Sequence, residues 1–78
     1  MNQTLKELVD YGADIEFCCG NKEYTILPWT EEGIVIGEKD GEDHAFESYE
    51  DMINQYRIDG VLMKDALDKI KITFTSGC

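Results

Sequence analysis

Cys18, Cys19, His44 and Cys78 are the side chains best suited to hold a soft metal or to act as nucleophile or base. Zinc sites in small domains use paired spacings such as Cys-x-x-Cys or His-x-x-x-His, which these four positions lack. Neighbouring residues on a strand point to opposite faces, so Cys18 and Cys19 are poorly placed to bridge. Three cysteines do not make a disulfide framework, and a reducing compartment fits them better. A general base needs a nucleophile or acid partner in a pocket, and nothing in the sequence supplies one for His44. A strand-end histidine beside Glu38 or Glu42 is the simpler expectation. Glu38, Asp40, Glu42, Asp43 and Glu47 crowd one short stretch like a calcium loop. An EF-hand loop, however, lies between helices, whereas strand-forming residues flank this one. The seven glycines are scattered singly, so there is no phosphate-cradling loop. These residues predict no enzyme activity, no metal and no cofactor.

Charge narrows the partners. Seventeen Asp and Glu against seven Lys and Arg give a formal net charge of −10. Nucleic-acid binding depends on cations that neutralise phosphates, so direct binding to DNA or RNA is not expected. Anionic membrane surfaces are disfavoured for the same reason. No apolar run approaches the ~18 residues of a membrane span, and the first residues carry no apolar signal-peptide core. The expected location is cytoplasmic, and the expected partner is a protein, with a basic one matching the charge.

The elements that position these residues can be read from periodicity. The 78 residues predict one domain, residues 1–78, with a thin core. Thr4 and Glu7 have capping-box spacing, and Leu5, Leu8 and Val9 share a helical face, so a first helix is expected over about 4–11. Strands at 14–19 and 22–28 flank Gly20-Asn21, a two-residue hairpin turn. That register pairs Cys19 with Lys22, Phe17 with Tyr24, and Ile15 with Ile26, which puts aromatic against aromatic and Ile against Ile. A third strand covers 34–38, after a loop over 29–33. A two-residue turn next would set Phe46 opposite in face to Ile34 and Ile36. A three-residue turn, Lys39-Asp40-Gly41 with Gly41 left-handed, brings Phe46 beside them and is preferred.

Ser48 caps a second helix whose Tyr49, Met52, Ile53 and Tyr56 form a buried stripe. Asp59-Gly60 ends it. A third helix is expected over 61–70, with Asp65 and Lys69 four apart in the favourable order. A last strand over 71–75 turns Ile72 and Phe74 inward. The fold class is therefore α+β, two-layered, with helices on one face of an antiparallel meander in the order α-β-β-β-β-α-α-β.

If Ile15, Phe17, Tyr24 and Ile26 face the helices, alternation sends Cys18, Leu27 and Val35 to the other face, with Trp29 at the strand's end. Apolar side chains on a helix-free face mark a contact surface, and tryptophan is enriched at binding hot spots. The competing possibility is that Trp29 folds over the sheet edge to seal the core. The candidate partner-binding residues are Trp29, Leu27, Val35, Glu31 and Glu32, with Glu16 and Glu23 also on the rim. A homodimer would use the same patch.

Phe46-Glu47-Ser48-Tyr49-Glu50-Asp51-Met52-Ile53, followed by Ile58-Asp59-Gly60-Val61-Leu62-Met63-Lys64-Asp65, resembles small acidic proteins of Firmicutes bacteria and their prophages. In that group a hairpin leads into similar helices, and the resemblance implies no activity. Val61 stands where a polar residue is more usual, which bears on the start of the third helix. The leading expectation is a non-enzymatic protein-binding module of phage or mobile-element origin. The alternatives are an anti-defence, anti-CRISPR-like inhibitor that presents carboxylates in place of nucleic acid, and a small metal-binding protein or enzyme.

Overall fold

The β1–β2 hairpin organises the sheet. In the computed structural model, which describes residues 3–75, β1 (Ile15–Cys19) pairs antiparallel with β2 (Lys22–Thr30). The register sets Ile15 against Ile26, Phe17 against Tyr24 and Cys19 against Lys22, as their side-chain chemistry predicts. The turn between them uses Gly20 at φ 66°. β2 runs on to Thr30, leaving only Glu31 and Glu32 between it and β3 (Gly33–Glu38). β4 (Asp43–Phe46) then pairs with β3, placing Phe46 opposite Ile34. That is the register expected of the longer turn. Gly41, however, does not take the left-handed conformation: its N–H reaches the Glu38 carbonyl at 2.9 Å in an ordinary turn that needs no positive φ.

The helices and the small elements follow the apolar pattern. α1 (Gln3–Tyr11) buries Leu5 and Val9, while the Thr4 side chain, and with it the capping box, lies outside the described residues. α2 (Tyr49–Gln55) begins where the Ser48 hydroxyl accepts the Asp51 N–H at 3.1 Å. The segment after it departs from expectation. Asp59 and Gly60, at φ 54° and 83°, form a tight turn between β5 (Arg57–Ile58) and β6 (Val61–Leu62). Positive φ at both central residues is the geometry of a two-residue hairpin, so this pair joins two strands rather than only stopping a helix.

The third helix is consequently short, α3 (Met63–Ala66), and tightens into a 3-10 turn over Leu67–Lys69. That tightening abolishes the four-residue spacing on which an Asp65–Lys69 pair depends, and no such ion pair forms. β7 (Lys71–Thr75) returns alongside β1.

The five-stranded sheet has the order β4-β3-β2-β1-β7, with β5 and β6 as a separate ribbon. The architecture is α+β in the expected element order, with that ribbon inserted between α2 and α3. One face of the sheet supplies Ile15, Phe17, Tyr24, Ile26, Ile34 and Ile36 to the core. Leu5, Val9, Tyr49, Met52, Ile58 and Met63 cover them from the helical layer. Burying each such side chain contributes about 1.5–3 kcal/mol, and the core is apolar throughout.

Phe74 does not join it. The β1–β7 register slips between Glu16 and Phe17, so that Phe17 faces Ile72 while Glu16 faces Phe74. Thr73 is the extra residue, and its hydroxyl donates to the Glu16 carbonyl at 3.1 Å. One inserted residue reverses the faces beyond it. Ile72 therefore packs against the core, and Phe74 stands 52% exposed on the other side.

Candidate functional site

Because the helices take one face of the sheet, every second residue of β1–β4 is left on the other. Register defines the rows there. Ala45, Val35 and Leu27 lie side by side across β4, β3 and β2. The next row reads Asp43, Gly37, Thr25, Glu16 and Phe74. A third joins Glu23, Cys18 and Lys71.

Leu27 and Val35 are half-buried by their neighbours. Trp29 stands at their end of the sheet, 61% exposed and outside the core cluster, so it does not seal the core. The chain gains one residue on β2 between Leu27 and Thr30, which frees the tryptophan from strict pairing with β3. Its indole N–H donates to the carboxylate of Asp14, just ahead of β1. The ring is thereby held by its edge while its apolar surface stays open.

Glu31 and Glu32 occupy the exposed turn beyond Trp29. Glu23 is held by Lys39, whose Nζ lies 3.5 Å away. Glu16 differs from the expected rim position: it sits in the middle of the face, between Thr25 and Phe74. The apolar surface is accordingly split into a larger part around Leu27, Val35 and Trp29 and a smaller one at Phe74. Phe74 had no signal in the sequence, since alternation from Ile72 assigns it to the core and no glycine marks the bulge.

Between Leu27, Val35, Thr25 and Asp43 the face dips into a cup of about 220 Å³ with Gly37 as its floor. A Cβ at Gly37 would collide with the Asp43 carboxylate and come within 2.8 Å of the Glu42 carbonyl. Glycine is therefore required there for close packing rather than for φ.

The remaining candidates are dispersed. Cys18 is half-buried on the outer face and Cys19 packs against the core, while Cys78 lies outside the described residues. His44, opposite Ile36, makes no ion pair with Glu38 or Glu42; its ring lies 5.8 Å from that of Tyr56. Tyr56 also meets Tyr24 and Phe46 edge-on, and burial, reinforced by Tyr24, Glu38 and Asp43, pushes its phenol up to about 12. Among the described residues no three His, Cys, Asp or Glu side chains converge as a metal site. No helix among them is long and apolar enough to cross a membrane. Comparison with protein-family models, curated proteins and solved structures gives no match to this chain.

Proposed function

We propose that the chain is a non-enzymatic protein-binding module whose contact surface is the helix-free face of the sheet. The observation that carries this reading is Trp29, an open indole anchored by Asp14 beside half-buried Leu27 and Val35. An apolar centre within a charged border is how interfaces are commonly built. The partner is basic. Three exposed ion pairs engage only a few of the seventeen carboxylates, and the rest set a negative field around the patch. A second copy of the chain would bring its own −10 against that field.

Tryptophan emission tests the centre of the patch. Trp29 is the single tryptophan, and its emission should be red-shifted and open to acrylamide in the free protein. A blue-shifted, quencher-resistant ring in a monomer would remove the proposed anchor, and light scattering after size exclusion establishes whether the protein is monomeric. In capture experiments, Trp29→Ala with Leu27→Ser should abolish recovery of the partner. Glu31→Gln and Glu32→Gln should instead slow association and weaken its salt dependence. Capture that survives the double change would sink the proposal.

A further inference from the structure

We propose that the cup over Gly37 is a subsite for one arginine side chain of the partner, an inference that rests on the sheet face being the contact surface. Three properties of the cup converge on that occupant. Leu27 and Val35 give it aliphatic walls, which suit the methylene stem of a long cationic residue better than a short polar one. Gly37, having no side chain, lets the Asp43 carboxylate fold down over the strand beside those walls, so a cation in the cup meets a carboxylate oxygen held against backbone.

The third property is charge. The Asp43 carboxylate leans over Gly37, and none of the ion pairs or side-chain hydrogen bonds among the described residues engages it. Lys39, the cation at the rim, is directed to Glu23 instead. The cup thus sets two aliphatic walls beside an uncommitted carboxylate, with Glu38 also on its lining, and the guanidinium fork can bind the Asp43 carboxylate through two parallel hydrogen bonds. A neutral apolar side chain would fill the walls and leave that carboxylate partly desolvated without compensation.

The test uses the full chain and N-acetyl-arginine amide as probe, followed by amide chemical shifts. Saturable shifts centred on Leu27, Val35, Gly37 and Asp43 are expected, with a dissociation constant on the order of millimolar for so small a ligand. N-acetyl-lysine amide should bind more weakly. Asp43→Asn should weaken the arginine probe about fivefold, the upper end of what one exposed ion pair supplies. Asp68→Asn removes the same charge from the exposed 3-10 turn of the helical layer and should leave the affinity within about twofold. The spectra themselves report whether Asp43→Asn is folded; if it is not, Val35→Thr, which keeps the wall's shape and adds a hydroxyl, should weaken binding in its place.

Shifts that never saturate, that centre on the Glu31–Glu32 turn, or that are equal for both probes overturn the arginine assignment. So does a folded Asp43→Asn that binds as well as the unaltered chain. These results are separable from failure of the contact face. If the cup is wrong and the face right, Trp29→Ala with Leu27→Ser still abolishes capture while Asp43→Asn does not.

Discussion

Phe17 and Tyr24 stack across the first hairpin with ring centroids 5.1 Å apart and planes 12° from parallel. The pair lies at the centre of the sheet, with Phe17 fully buried and Tyr24 nearly so. Tyr24 in turn meets Tyr56 edge-on at 6.3 Å, which ties the hairpin to the end of α2. Phe17→Ala should therefore destabilise the protein by about 3–5 kcal/mol in urea titrations. For a domain whose total stability is on the order of 5–15 kcal/mol, that change alone approaches unfolding. A loss below about 1 kcal/mol would show that this stack is not central to the core.

The Asp59–Gly60 turn supplies a backbone prediction. Gly60 sits at φ 83° with nothing near the position its Cβ would occupy. Gly60→Ala should cost about 1–2 kcal/mol through backbone strain alone. Asp59→Asn should stay within about 0.5 kcal/mol, since asparagine tolerates positive φ and the Lys22 contact it weakens is exposed. Thermal melts of the two variants test this, and equal effects would contradict the turn geometry.

Much of the structure could be anticipated because cross-strand chemistry is local. Pairing Phe17 with Tyr24 and Ile15 with Ile26 requires only a two-residue turn between them, and Phe46 reports the next register by needing to face the isoleucines. The β5–β6 ribbon was harder to see. Its Asp59-Gly60 turn is a hairpin signal, yet two-residue strands are too short to show alternation, and the apolar run beyond Val61 resembles a helix face. Phe74 was out of reach because a bulge leaves periodicity intact in the sequence and breaks it only in the pairing. In the candidate site, Leu27, Val35 and Trp29 were visible from alternation, whereas the cup was not. Gly37 marks a close approach, but which side chain leans over it depends on the β3–β4 register.

Alkaline titration reads the aromatic cluster. Burial raises the phenols of Tyr24, Tyr49 and Tyr56, the last to about 12. A raised folded value means that the protonated form is favoured by folding, so this contribution is complete below the unfolded value near pH 10. It is lost as pH rises from about 10 through about 12. Stability should fall over that window, and ultraviolet absorbance should show these phenols ionising late. Early ionisation of Tyr56 in the folded protein would place it outside the cluster.

Salt should stabilise the fold. The three ion pairs, Lys6–Asp10, Lys22–Asp59 and Lys39–Glu23, are all solvent-exposed and worth little each. The excess of carboxylates is then mainly repulsive, and ions shorten its reach to about 10 Å at 0.1 M. Sodium chloride at a few tenths molar should raise the melting temperature. A falling curve would mean that the paired contacts outweigh the repulsion.

The place of β7 in the sheet also sets an order of assembly. β1 through β4 join neighbours in sequence, so their ladders close short loops. The bond from Thr73 to Glu16 instead spans 57 positions, and its loop-closure entropy is correspondingly larger. Until that strand docks, the outer edge of β1 carries unpaired backbone groups and Phe17 lacks the cover of Ile72. Such an open edge is a template for joining another chain. The vulnerable interval in this protein's life is therefore the time between forming the meander and capturing its last strand. Changes at Ile72 should show themselves more in the yield of refolding at high concentration than in the structure of the finished molecule.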